Sequence, residues 1–202
     1  MLVIISSPKA VSDEARIINT LFEEGLKILH LRKPGIEIDE LITLLEKIDS
    51  QYLHRIALHQ HHAIADDFGI KRLHFTEVMR KESDEEELLQ LKSEKNVLST
   101  SIHQMADYQD LSSCFDYTFY GPVFDSISKH GYTSTIPNDF VFPVQLNGPK
   151  PIAIGGIDFT NIQKALDMEF YGVAALGIIW QKPGESVQQF KTLQKAWKQT
   201  GR

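Results

Sequence analysis

The 202-residue sequence predicts an α/β fold, a single (β/α)8 TIM barrel spanning residues 1–202. Three observations lead there. Eight short apolar runs of strand length recur along the chain, and amphipathic segments at helical period separate most of them. Strands that alternate with helices pair in parallel, and eight is the number that closes a barrel. No glycine fingerprint follows the first run, which weighs against the competing architecture, an open doubly wound sheet.

The elements follow in order. LVIIS (2–6) is the first strand. SDEARIINTLFEEG has apolar residues at helical spacing, Ser12 as its expected N-cap and Gly25 at its end. ILHLR (28–32) is the second strand, and IDELITLLEKIDS repeats the helical period. RIALH (55–59) and RLHF (72–75) are the third and fourth strands, with a helix expected to start at HQHH (59–62) between them. DEEELLQLKSEK begins acidic and ends basic, as the helix dipole prefers. VLSTSI (97–102) and YTFYG (117–121) are the fifth and sixth strands. The next helix is expected to be reduced or replaced by a loop, because Pro137 and Pro143 interrupt TSTIPNDFVFPVQLNGP. PIAIGG (151–156) is the seventh strand, with Asp158 as a possible cap for FTNIQKALDMEF. GVAALG (172–177) is the eighth strand, and SVQQFKTLQKAWKQ is the last helix.

Bulk properties narrow the functions. The net charge is −6, with both signs mixed along the chain, so nucleic acid is not an expected partner. Cys114 is the single cysteine, expected as a buried, inert thiol in a reducing compartment. No secretory leader and no run of ~18 apolar residues is visible, so a cytoplasmic protein with no membrane partner is expected.

In such a barrel the loops after the strands build the active site. The residues there are His30, Arg32 and Lys33 after the second strand, then His59 to His62, then His74, Thr76 and Glu77. Ser101 and His103 follow the fifth strand, and Ser126, Ser128, Lys129 and His130 follow the sixth. Gly155 and Gly156 follow the seventh strand, Gly177 and Ile178 the eighth. The glycines serve either tight turns or a backbone cradle for phosphate. Arg32, Lys129 and the serine hydroxyls describe an anion pocket for a small phosphorylated molecule. Imidazoles such as those of HQHH can bind zinc or copper, but the run reads better as a helix start with solvated histidines, and no metal site is assigned. His103 or His130 has the chemistry of a general acid or base.

LHLRK, LSTSIH, DYTFYGPVFDSISK, PIAIGGI and GVAALG resemble, in that order, the thiamine phosphate synthase superfamily, which includes TenI-like thiazole tautomerases. The most specific segment is Gly121-Pro122-Val123-Phe124 with Ser126, Ser128 and Lys129, which matches the family's G-P-V-F-x-T-x-T-K with serines for the threonines. The resemblance implies pyrophosphate contacts from Arg32, Ser101 and Lys129, and a thiazole phosphate held by the backbones of Gly155-Gly156 and Gly177-Ile178. It also implies a small-molecule partner, a phosphorylated thiazole with or without a pyrimidine diphosphate, and leaves a homodimer open.

The sequence departs from the synthase pattern where the pyrimidine and magnesium are bound. His30 stands for a pyrimidine-binding glutamine and Pro34 for a lysine. His59-Gln60 stands for an Asn-Asp pair, and Met79 falls near a second magnesium aspartate. The leading expectation is therefore a TenI-like proton-transfer enzyme that needs no cofactor, with His103, His130 or His30 as the proton carrier, since the usual tautomerase histidine is here Pro122. The alternatives are an atypical synthase requiring Mg2+ and a non-catalytic phosphate-ligand-binding relative.

Overall fold

The computed structural model describes residues 1–125, 136–137 and 139–201. Eight parallel strands pair in sequence order and the last returns to the first, closing the barrel. They are β1 (Leu2–Ile5), β2 (Leu29–Leu31), β3 (Ile56–Leu58), β4 (Arg72–Phe75), β5 (Val97–Ile102), β6 (Tyr117–Tyr120), β7 (Lys150–Ile154) and β8 (Gly172–Ala175). The helices are α1 (Glu14–Glu23), α2 (Ile38–Glu46), α3 (Glu77–Glu82), α4 (Glu85–Ser93), α5 (Met105–Gln109), α6 (Ile162–Asp167), α7 (Gly177–Trp180) and α8 (Ser186–Gln199). Among the described residues, no helix is long and apolar enough to cross a membrane.

The period-2 pattern of the strands divides the core in two. Leu29, Leu31, Leu58, Leu73, Phe75 and Leu98 face outward and pack in one cluster with helix residues such as Ile18, Leu21, Leu45 and Phe190. Val3, Ile5, Tyr117, Phe119, Ile152 and Ala174 fill the interior as a separate cluster. The alternate positions on β2 and β4 carry His30 and His74, both fully buried. The barrel interior is thus aliphatic and aromatic on one side, and histidine-rich on the other.

Several local expectations change. Helix α1 does not use Ser12 as its cap: Asp13 takes that place in the left-handed region, φ 56°, with no side-chain cap bond. Its first turn is anchored instead from inside, where the buried Glu14 carboxylate accepts from Lys33 Nζ at 2.6 Å. Burial raises the Glu14 pKa, against the opposing pull of that lysine. Gly25 does end the helix, with φ 95° and its N–H donating to Phe22 O at 3.0 Å. The histidine run does not open an α-helix. The segment forms two 3-10 turns, His62–Ile64 and Asp66–Phe68, bounded by left-handed residues at His61, φ 55°, and Gly69, φ 64°, and Ile64, Ala65 and Ile70 fill the outer core. Asp158 caps a turn and not α6: its carboxylate accepts from Thr160 N at 2.7 Å, and Asn161 is the N-cap residue.

Where a sixth helix would stand, the described residues between β6 and β7 contain none. Phe142 is buried there against Tyr108, Tyr120 and Phe170, and this aromatic cluster covers that side of the barrel. Cys114 is buried, as expected.

Candidate active site

A cavity of about 500 Å³ opens at the carboxyl ends of the strands. Arg32, Ser101, His103, Gly155, Gly156, Gly177 and Ile178 all line it. Seven of the site positions read from the sequence therefore converge on one space. Ser126, Ser128, Lys129 and His130 lie outside the described residues. A larger groove, about 680 Å³, runs on the outer surface along α1 and α2, away from the strand ends.

Arg32 emerges from β2 with its backbone held from both sides by one residue. Its N–H donates to the buried Ser6 hydroxyl at 2.9 Å, and that hydroxyl donates to the Arg32 carbonyl at 3.0 Å. The guanidinium is exposed at the mouth, and among the described residues it forms no ion pair. Lys33, one residue on, is turned away and buried, donating to Glu14 and to Lys9 O. Of these two neighbours, Arg32 presents its charge at the mouth and Lys33 does not.

The opposite wall is backbone. Gly155 and Gly156 have φ of 93° and 64°, a region that L side chains rarely adopt. A Cβ on Gly155 would lie 2.6 Å from Pro122 Cα, and one on Gly156 2.5 Å from Asp125 O. The two glycines let the loop after β7 press against the Gly-Pro-Val-Phe loop after β6, which is fixed by Val123 N donating to Ile154 O at 2.8 Å. Gly177 and Ile178 begin α7; the Ile179 and Trp180 amides donate to Leu176 O at 3.1 and 3.3 Å, while those of Gly177 and Ile178 have no acceptor within the helix. Trp180 ties α7 to the end of β1 by donating to Ile5 O at 2.7 Å.

His103 stands exposed just past β5 and donates from Nδ1 to Gly121 O at 3.0 Å. In a neutral ring that bond places the proton on Nδ1, so that Nε2 carries the lone pair. His30 sits otherwise than at the rim. It lies beneath the cavity with no exposed surface, its Nε2 2.8 Å from Tyr117 Oη and its Nδ1 2.9 Å from His59 Nε2. Its place in the middle of Leu29-His30-Leu31 turns it into the barrel, so it cannot touch a ligand at the mouth.

His59 and His74 form cavity wall instead, with Phe119. His74 is 3.0 Å from Ser99 Oγ through Nδ1 and 3.0 Å from Ser101 Oγ through Nε2. The alternation of His74 with outward-facing Leu73 and Phe75 marks it in the sequence as interior. Burial, first of all, lowers the pKa of His30 and His59 well below the usual imidazole range and that of His74 to about 3, with neighbouring histidines and Arg32 or Arg72 adding to it. Tyr117 is pushed up to about 12, again mainly by burial.

The donors do not suit a magnesium ion. Gln60, where the resemblance places a carboxylate, is folded back on the Lys33 backbone: its Oε1 accepts from Lys33 N at 3.2 Å, and its Nε2 donates to Lys33 O. Met79 packs against the outer core. Two carboxylates line the cavity, but Glu77 is paired with Lys81 at 2.6 Å and Asp158 holds the Thr160 turn. A hard cation demands oxygen ligands, and an amide tied to backbone with a thioether cannot supply them.

No curated protein matches the sequence. Among solved structures, a thiamine phosphate pyrophosphorylase from Bacteroides thetaiotaomicron is 25% identical, covering 98% of this chain and 97% of its own, with a TM-score of 0.73. One from Pyrococcus furiosus is 15% identical over 98% of this chain and 95% of its own, TM-score 0.74. A 3-hexulose-6-phosphate synthase from Salmonella typhimurium is 12% identical over 98% and 99%, TM-score 0.65. The last two likenesses show the fold alone. The family model of thiamine monophosphate synthase matches residues 2–179, from the first strand into the helix after the eighth. A match of that extent, over a barrel closed in the same order, makes this chain a member of the thiamine monophosphate synthase/TenI family.

Proposed function

We propose that this protein is a TenI-like proton-transfer enzyme that isomerises a phosphorylated thiazole at the cavity. The observation that carries the reading is the occupancy of the two magnesium-carboxylate places by Gln60 and Met79. Pyrophosphate departure needs charge neutralisation that only basic residues would supply here. A tautomerisation needs less: an anion cradle, a base and an enclosed wall. Arg32 and the amides at Gly155-Gly156 and Gly177-Ile178 are the cradle, with Lys129, Ser126 and Ser128 of the family motif as further anion contacts. His103 Nε2 takes the proton from one carbon of the substrate and returns it at the other end of the conjugated system, so no proton is consumed overall. His130, which follows that motif in the sequence, is the alternative carrier.

The test is deuterium incorporation from D2O into a carboxylated thiazole phosphate, followed by NMR. The parent is expected to exchange, and His103→Gln to slow exchange at least about 100-fold, the lower range for a general acid–base group. The second reading, an atypical synthase, would need Glu77 and Asp158, the two carboxylates at the cavity edge, to leave Lys81 and the Thr160 turn for magnesium. Magnesium-dependent release of pyrophosphate from a pyrimidine diphosphate and thiazole phosphate, with no exchange into the thiazole alone, would replace the first reading with the second.

A further inference from the structure

Three strands each contribute one histidine to the barrel interior. His30 from β2, His59 just past β3 and His74 from β4 place ligand nitrogens within 4.8 Å of one another. The ring centroids are 3.9 Å apart for His59 and His74, 5.1 Å for His30 and His59, and 5.3 Å for His30 and His74. Nothing in the proposed proton transfer uses this cluster as a group.

The cluster is an expensive way to fill a barrel. An aliphatic side chain in such a position stabilises the fold by about 1.5–3 kcal/mol through burial. An imidazole must give up hydration and its proton to be there, and recovers only about 1 kcal/mol for each hydrogen bond it makes. Three such residues facing one another call for a reason beyond packing.

We propose that His30, His59 and His74 form a three-histidine site for a borderline divalent metal ion of the zinc class, with its remaining coordination position open to the cavity. Neutral imidazole suits that class, and three protein ligands plus one open position is the pattern of catalytic zinc sites. The ligand set is distinct from the hard-cation donors that the site lacks. Burial already holds all three rings in the uncharged form that ligates.

The surrounding hydroxyls support the assignment. Tyr117 Oη holds one nitrogen of His30 and Ser99 Oγ one nitrogen of His74, which orients a ligating ring by its far side. The His30 Nδ1–His59 Nε2 contact of 2.9 Å holds one ring proton; for both nitrogens to ligate, that ring carries its proton on its other nitrogen, which for His30 is the one beside Tyr117 Oη, and stays neutral. A tetrahedral ion at ~2.0–2.1 Å from each nitrogen sets them roughly 3.3 Å apart, so the nitrogens need shifts of about 1 Å; the stacked His59 and His74 rings must also turn until both lone pairs meet at the ion, with His74 Nε2 exchanging Ser101 Oγ for it. His59 and His74 line the cavity, which gives the ion its path in and a small ligand its path to the ion.

The experiment uses the full chain, stripped with a chelator and titrated with Zn2+ alone against a chromophoric competitor, with Co2+ as the spectroscopic substitute. One equivalent is expected to bind with micromolar affinity or tighter and to raise Tm. His30→Gln, His59→Gln and His74→Gln are each expected to weaken binding at least 100-fold, while His61→Gln with His62→Gln leaves it unchanged. Because buried histidine variants can fail to fold, X-ray absorption of the Zn2+-loaded His61→Gln/His62→Gln protein provides the second readout. Three imidazole nitrogens at bonding distance support the site. No saturable binding, fewer than three imidazoles, or undiminished binding by a folded His30→Gln variant overturns it. None of these readouts depends on thiazole turnover, so the metal site and the proposed reaction stand or fall separately.

Discussion

Ser6 and Arg32 illustrate how one buried hydroxyl sets a functional group. The Ser6 side chain both accepts from and donates to the Arg32 backbone, and so fixes where the guanidinium leaves β2. Charge-assisted hydrogen bonds contribute about 1.5–3 kcal/mol, so Arg32→Ala is expected to weaken binding of thiazole phosphate or inorganic pyrophosphate roughly 10- to 100-fold, read by calorimetry. Unchanged affinity would remove Arg32 from the cradle. Arg32 was legible from its place at a strand end. Ser6 was not, because a serine in an apolar run carries no signal until the neighbouring strand is laid beside it. His30 was legible as an unusual residue and misplaced by position: its strand is only three residues long, so one residue separates interior from rim.

At the scale of elements, the loops after β6 and β7 act as one unit. Gly156 occupies a left-handed conformation with backbone oxygens of Phe124 and Asp125 where its Cβ would be. Gly156→Ala is expected to destabilise the protein by about 1–3 kcal/mol from local strain alone. Those oxygens cannot yield as a flexible side-chain end would, so the proposed phosphate cradle should weaken with it. Thermal unfolding and ligand titration of the same variant measure both effects; a variant with parental Tm and affinity would show that the two loops do not depend on this close approach. The IGG signature was readable as turn or cradle. The interlocking with Phe124 and Asp125 was not, since it joins two loops some thirty residues apart in sequence. The histidine run misled for a related reason: its helical reading rested on local pattern, while the chain takes a left-handed step at His61 and then two 3-10 turns.

For the whole molecule, the histidine-rich half of the barrel interior makes stability sensitive to acid. His30, His59 and His74 have folded-state pKa values below the ordinary value of ~6.5, so the unfolded chain binds more protons in mild acid. Stability is then fully present above about 6.5 and is lost as pH falls below it. Each imidazole still neutral in the fold contributes about 1.4 kcal/mol per pH unit, for His74 down to about 3. Glu14, raised by burial, acts in the opposite sense as a single group. Urea unfolding at pH 7.5 and pH 5.5, with chelator present to remove metal, should show a clear loss of free energy at the lower value. Equal stability at both would mean that these rings are not held neutral in the fold.

The sequence by itself determined the barrel, the order of its strands, the reduced sixth unit and the polar and glycine positions that gather at one rim. Those features are written in local signals: apolar period, proline and glycine punctuation, and polar residues at strand ends. Only the tertiary structure decided that His30, His59 and His74 meet inside, that Lys33 is spent on Glu14 while Arg32 stays at the mouth, and that Gln60 closes on the backbone. Each is a contact between residues distant in the chain, set by strand register and by which side of a pleat a residue occupies. A shift of one residue reverses that choice, so local pattern alone cannot fix it.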